Sequence, residues 1–162
     1  MKVKIKKLVE NAVIPKYAKP GDAGLDLVAV NRYFEKPDCN MVYTTGLSIE
    51  IPEGYVGLIF PRSSICKYDL TLTNCVGVID SGFRGEITLK FGMTREYYLV
   101  DDVPYFNGNH TDDYAYNPMK IYEVGDKIGQ LIILPYPQIE FEEVEELSIT
   151  ERGELGYGST GL

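Results

Sequence analysis

His110 is the only histidine of the 162-residue chain, and its three cysteines, Cys39, Cys66 and Cys75, lack the paired spacing of a zinc site. Catalysis by Ser-His-Asp or Cys-His groups needs an imidazole beside the nucleophile, so acid–base chemistry falls to carboxylates or a metal-bound water. Ala23-Gly24-Leu25-Asp26-Leu27 sets a carboxylate in a strand-like run just after a loop. Its plainest role would be to cap that loop. Pro61-Arg62-Ser63-Ser64 offers a guanidinium, two hydroxyls and, if a helical turn begins there, free backbone N–H groups. Those are the parts of an anion site, or of a simple N-cap.

The stretch Asn74 to Glu86 is more particular. It reads as a short hairpin with Asn74 at one end, Asp80 beside the apolar Ile79, and Phe83 facing back. An amide such as that of Asn74 both donates and accepts, as a pyrimidine edge requires, and a carboxylate at Asp80 could orient and deprotonate a water. A plain Asp-Ser-Gly turn is the other reading. Gly129-Gln130 places a small residue and an amide within an apolar strand, a sign of close backbone approach. The terminal run Arg152-Gly153-Glu154-Leu155-Gly156-Tyr157-Gly158-Ser159-Thr160-Gly161 lacks the Lys of a P-loop. It suits either a frayed tail or a lid that closes on phosphates and stacks Tyr157 on a base.

These groups must be held by strands. Period-two alternation recurs in Val3 to Val9, in Leu47, Ile49 and Ile51, in Tyr55 to Phe60, in Ile87, Leu89 and Phe91, and in Lys127 to Leu134. Pro52-Glu53-Gly54 and Asp80-Ser81-Gly82 read as tight turns, Tyr17 to Ala23 as a loop, and only Ser63 to Tyr68 as a short helical turn. The length and a 44% hydrophobic, 25% charged composition fit one globular domain over residues 1–162. No apolar run approaches the roughly 20 residues that cross a bilayer. Lys2 to Lys7 alternates basic and apolar residues like an edge strand rather than a signal peptide, and an odd count of three cysteines suits free thiols in a reducing compartment, so the expected location is the cytoplasm. A net charge of −8 argues against binding polymeric nucleic acid. Asp101 to Lys120, polar and Tyr-rich, is long for a connection and reads as an insertion, with room for an extra hairpin from Tyr98-Leu99-Val100 to Ile121-Tyr122.

Taken in order and spacing, these segments resemble the signature motifs of the trimeric dUTPase family, from Ala23 to Gly161. Gly77-Val78-Ile79-Asp80 with Phe83-Arg84-Gly85-Glu86, and Arg152-Gly153 with Gly158-Ser159-Thr160-Gly161, carry most of the specificity; Pro61-Arg62-Ser63 and Gly129-Gln130 support them. The resemblance implies an all-β, distorted-barrel or jelly-roll-like fold with at most one short helix. It also implies a homotrimer with sites shared between subunits, and hydrolysis of dUTP to dUMP and pyrophosphate by Mg²⁺-assisted, in-line attack of water at the α-phosphorus. Asn74 and the backbone of Gly77, Val78 and Ile79 would read uracil, Phe83 would exclude a 2′-hydroxyl, and Asp80 would position the water. Arg62 would serve phosphate binding or the subunit contact, and Ser63, Ser64 and Gln130 would meet the phosphates. Arg152, Gly158, Ser159 and Thr160 of the lid 151–162 would close over them, with Tyr157 on the base. Asp26 would approach the metal through water.

Ser64 stands where Gly is usual in that family, Gly129 where Ala is, Phe83 where Tyr is commoner and Tyr157 where Phe is. Two other readings compete. A dCTP deaminase shares the Arg-Ser-Ser segment but needs a Glu where this chain has Lys90, which cannot act as that acid–base group at neutral pH. A nucleotide-gated regulatory protein would use 101–120 to dock a protein partner, with Tyr97, Tyr98, Tyr105, Phe106, Tyr114, Tyr116 and Tyr122 as anchors.

Overall fold

A computed structural model describes residues 1–36, 38–94, 97–100, 103–106 and 119–154. Its strands, of which β7 and β9 alternate buried with exposed residues and β4 and β5 are buried at consecutive positions, are β1 Lys4–Lys7, β2 Leu25–Val28, β3 Asn31–Glu35, β4 Asn40–Thr44, β5 Leu47–Glu50, β6 Tyr55–Phe60, β7 Leu70–Leu72, β8 Gly77–Ile79, β9 Thr88–Met93, β10 Tyr97–Val100, β11 Val103–Phe106 and β12 Lys127–Pro135. Two four-stranded sheets, β2-β12-β6-β8 and β3-β4-β9-β7, are joined by the pairs β1-β5 and β10-β11, all antiparallel. Leu27, Ile59, Ile128 and Leu131 of the first sheet pack on Met41, Tyr43, Leu89 and Phe91 of the second in one buried cluster. The fold is all-β and jelly-roll-like as expected, but the described sheets do not close into a barrel. The short helix at Ser63–Lys67 is a 3-10 turn.

Local chemistry explains the corners. Tyr55 N–H donates to Pro52 O (3.1 Å) across Gly54, whose φ of 77° suits glycine. The Tyr17–Ala23 loop is closed by Asp22, whose carboxylate accepts from Lys19 N–H (2.8 Å), so Asp26 is not its cap.

Two expected hairpins are corrected. Tyr97–Val100 pairs with Val103–Phe106, not with Ile121-Tyr122. Ile121 and Tyr122 instead run into the Glu123–Asp126 turn, where Asp126 accepts from Glu123 N–H (2.8 Å). Within Asn74–Glu86, β8 takes its ladder from β6 alone. The return limb after Asp80 is not a strand, because it is tied to the β5 edge: Glu86 accepts from Gly46 N–H (2.7 Å), and Ser48 donates to Arg84 O (2.7 Å). After β12, residues 136–150 form no strand, and their apolar side chains face solvent, Phe141 at 89% and Ile149 at 100% exposure. Among the described residues no helix is long and apolar enough to cross a membrane.

Candidate functional site

Strand neighbours bring Asp26, Gln130 and Arg62 together. Gln130 of β12 lies opposite Asp26 of β2 on one side and Phe60 of β6 on the other, and Arg62 follows just beyond Phe60. The Asp26 carboxylate takes Arg62 Nε on Oδ1 and Lys127 Nζ on Oδ2, both at 2.8 Å. Gln130 Nε2 donates to Pro61 O (3.1 Å), which leaves its amide oxygen as the free acceptor of that side chain beside Gly24. A Cβ at Gly24 would lie 2.4 Å from Gln130 Oε1, so the glycine is what lets the amide lie there. Gly129 has a similar reason: a Cβ there would meet Leu89 Cδ2 at 2.6 Å. Ser63 is exposed and Ser64 half-buried on the adjoining turn.

The second cluster is a groove. Asn74, Gly77, Val78 and Ile79 line a cavity of about 260 Å³ together with Thr73, Thr88 and Lys90. Val78, Ile79 and Thr88 continue into a cavity of about 200 Å³ that holds Asp80, Phe83 and Glu86. Asn74 is presented by a tight bend in which Val76 N–H donates to Asn74 O (2.5 Å) and Cys75 takes a φ of 58°. Phe83 is fixed by a turn, its N–H on Asp80 O (3.0 Å), and its ring lies against Gly85, where a Cβ would come within 2.6 Å of it. β8 ends its sheet, so its outer backbone edge has no strand beside it among the described residues.

The groove runs along β6, with its Asp80 end away from the first cluster. Ile79 pairs with Gly57 and Gln130 with Phe60, and with Arg62 two residues further on, the separation along the strand is on the order of 15 Å. One chain therefore brings Asp26, Arg62 and Gln130 together and holds Asp80 and Phe83 apart from them, while Gly77, opposite Ile59, sets the Asn74 end of the groove nearer to Gln130. Arg152 lies in the terminal turn and is not among the residues lining either cavity. Tyr157, Gly158, Ser159 and Thr160 lie outside the described residues, as does most of 101–120.

Sequence reasoning passed over Thr88 and Lys90, because alternation drew attention to the inward Ile87, Leu89 and Phe91, whereas the outward members of the same strand line the groove. It also missed Lys127, whose partner Asp26 is remote in sequence. Lys90 is held by Glu35, with Nζ 2.7 Å from Oε2, and that hydrogen bond raises its pKa, which keeps it cationic where a deaminase would need a carboxylate. Among the described residues no three His, Cys, Asp or Glu side chains form a metal cage. Asp26, with both oxygens already bonded to cations, keeps lone pairs for a water but is a poor direct ligand. That donor set fits a hard cation that retains its waters and enters with an anionic substrate.

Fold and site together define a jelly-roll-like β-protein with a groove sized for a heterocycle and a separate cluster suited to anions. The family model described as dUTPase matches residues 10–95 and 110–161, leaving the β10-β11 hairpin unmatched. The chain is 36% identical to the deoxyuridine 5'-triphosphate nucleotidohydrolase of Clostridium kluyveri over 163 residues, 99% of each. It superposes on the Staphylococcus bacteriophage 80alpha dUTPase with dUpNHpp at a TM-score of 0.75, with 29% identity and 99% of each chain covered. It also matches a dUTPase of phage phi11 of S. aureus, described with a structural Mg(II) ion, at a TM-score of 0.69 and 25% identity over 90% of this chain and 98% of that one. This chain belongs to the dUTPase family.

Proposed function

We propose that the protein hydrolyses dUTP to dUMP and pyrophosphate. The observation that carries this reading is the groove itself: an Asn amide and an open strand edge at one end, an aromatic ring and a carboxylate at the other. Donors and acceptors of β8 and Asn74 pair with the uracil edge. Phe83 packs on the deoxyribose, where a 2′-hydroxyl would find neither room nor partner. Asp80 orients a water and takes its proton as the water attacks the α-phosphorus in line with the departing pyrophosphate. Arg62, Ser63, Ser64 and Gln130 meet the phosphate oxygens, while Arg152, Tyr157, Gly158, Ser159 and Thr160 close over them. Mg²⁺ bound to the triphosphate would neutralise developing charge, with Asp26 accepting from one of its waters.

Because the Asp80 and Gln130 clusters are separated along β6, the reading includes sites shared between subunits of a homotrimer. The exposed apolar side chains of 136–150 support it, since such a stretch calls for a covering surface. The reading also covers the chain as one domain acting in the cytoplasm. A partner surface at 101–120 would be an addition to catalysis. Pyrophosphate release from dUTP, dCTP, dTTP and UTP, with Mg²⁺ or EDTA, for the native chain and Asp80→Asn, tests the proposal. The expected result is metal-dependent release from dUTP alone, with a loss of about 10²-fold or more in the variant. No release from dUTP, or full activity without the carboxylate, would refute it.

A further inference from the structure

The segment that re-enters the fold after the insertion grips the Arg62–Tyr68 turn. Lys120 N–H donates to Asp69 Oδ2 (2.9 Å), and Asp69 N–H donates to Lys120 O (2.8 Å). The Tyr122 ring lies on that of Tyr68, centroids 4.0 Å apart and planes tilted by 36°. Tyr68 in turn ends the 3-10 turn through its N–H on Ile65 O (3.0 Å). Tyr122 has little freedom of its own. Its carbonyl accepts from Arg32 Nη1 (2.7 Å) and the Tyr43 hydroxyl (3.0 Å), and its ring is buried edge-on against Tyr43 and Phe91.

The Tyr122 hydroxyl is the one buried side-chain polar atom without a hydrogen-bond partner among the described residues. Ser64 faces it without completing a well-made bond, and Arg62 is the cation nearby. A buried hydroxyl left unpaired costs stability, and Phe would fill the same space without that cost. A serine hydroxyl is both donor and acceptor, and its proton rotates to suit its neighbours. If it accepts from one side, its own proton is left to donate to the other.

We propose that Tyr122 is a positioning residue for the phosphate-binding turn: its hydroxyl, unpaired in the free protein, donates to Ser64 Oγ when phosphate binds, so that the Ser64 proton is directed at a phosphate oxygen. The inference rests on the reading of Arg62–Ser64 as a phosphate site. It extends that site to a side chain on the far side of the turn, at the exit of the insertion.

The test uses Tyr122→Phe, Ser64→Ala and the double variant of the full-length protein. Affinity for inorganic triphosphate is measured by calorimetry, beside kcat and KM for dUTP and the thermal midpoint. Tyr122→Phe is expected to keep or raise the midpoint while weakening triphosphate binding about 5–10-fold, to raise the KM for dUTP in parallel, and to add nothing once Ser64 is Ala. Native affinity in Tyr122→Phe, or an equal loss with and without Ser64, overturns the proposal. If the native chain binds triphosphate with this dependence but does not hydrolyse dUTP, the activity reading falls and this one stands. If the native chain hydrolyses dUTP and Tyr122→Phe is unchanged, this one falls alone. If the native chain binds no triphosphate, both fall.

Discussion

Replacing Gly24 with Ala should cost activity without costing stability. The added Cβ would lie 2.4 Å from Gln130 Oε1 and 3.2 Å from Gln130 Cβ and Cδ. Those distances force the amide to swing away and Gln130 Cβ, with its strand, to give by a few tenths of an ångström. The swing breaks the Nε2 bond to Pro61 O, worth about 1 kcal/mol. Gly24 does not have a positive φ, so Ala fits the backbone and restores about 0.4–1 kcal/mol by narrowing the unfolded ensemble. The two effects nearly cancel, and the thermal midpoint at fixed chain concentration should move by no more than about 4 °C. The amide proposed to meet phosphate is displaced all the same, at an expected cost of about 1.4 kcal/mol in the transition state, or roughly tenfold in kcat/KM for dUTP. Pyrophosphate release and a thermal scan on the same preparation separate the two. Native kcat/KM in Gly24→Ala, or an undiminished further loss when Gln130→Ala is already present, would refute the reasoning.

Two further outcomes follow from the geometry. If Asp80 and Gln130 reach one nucleotide from different subunits, co-refolding equal amounts of Asp80→Asn and Gln130→Ala chains should recover roughly a quarter of native specific activity through mixed trimers; no recovery would place both residues in a site of one chain. Burial raises the phenol pKa of both Tyr43 and Tyr122 above the ordinary value of 10.0. The folded state therefore holds those protons more tightly than the unfolded one. This stabilisation is complete below about pH 10 and is lost as pH rises through the folded pKa values. The thermal midpoint should fall above about pH 10, and less steeply in Tyr43→Phe; equal slopes for the two proteins would show that this phenol is not responsible.

What the sequence disclosed follows from the range over which its signals act. Alternation located β6 and β12 because one face of each meets the core, and Pro52-Glu53-Gly54 and Asp80-Ser81-Gly82 located turns because their backbone demands are local. The base-side residues were legible since Asn74, Asp80 and Phe83 share one short stretch. The second cluster was legible only as parts. Nothing near Asp26 names Arg62 or Lys127 as its partners, because strand order decides that. The same holds for the limb after Asp80, where local pattern suggests a hairpin but Gly46 and Ser48 of a distant segment hold the backbone. Tyr122 read as an insertion aromatic available to partners; it is a core residue, held at its carbonyl by Arg32 and Tyr43.

The open edge of β8 bears on how selectivity can change. A pocket that recognises a base by side chains can be retuned by one substitution, because every contact is a codon. The part of the proposed site that would read it by N–H and C=O groups of the chain presents the same donors and acceptors whatever residues other than proline occupy positions 77–79, while Asn74 stays open to retuning. Single substitutions there would alter how well the edge is packed, not the pattern it presents. A drift toward cytosine would require the strand to shift against β6, and each ladder bond to Gly57, Leu58 and Ile59 opposes that shift. Selectivity of this kind would be buffered against mutation, since the sheet that would provide it also holds the fold together.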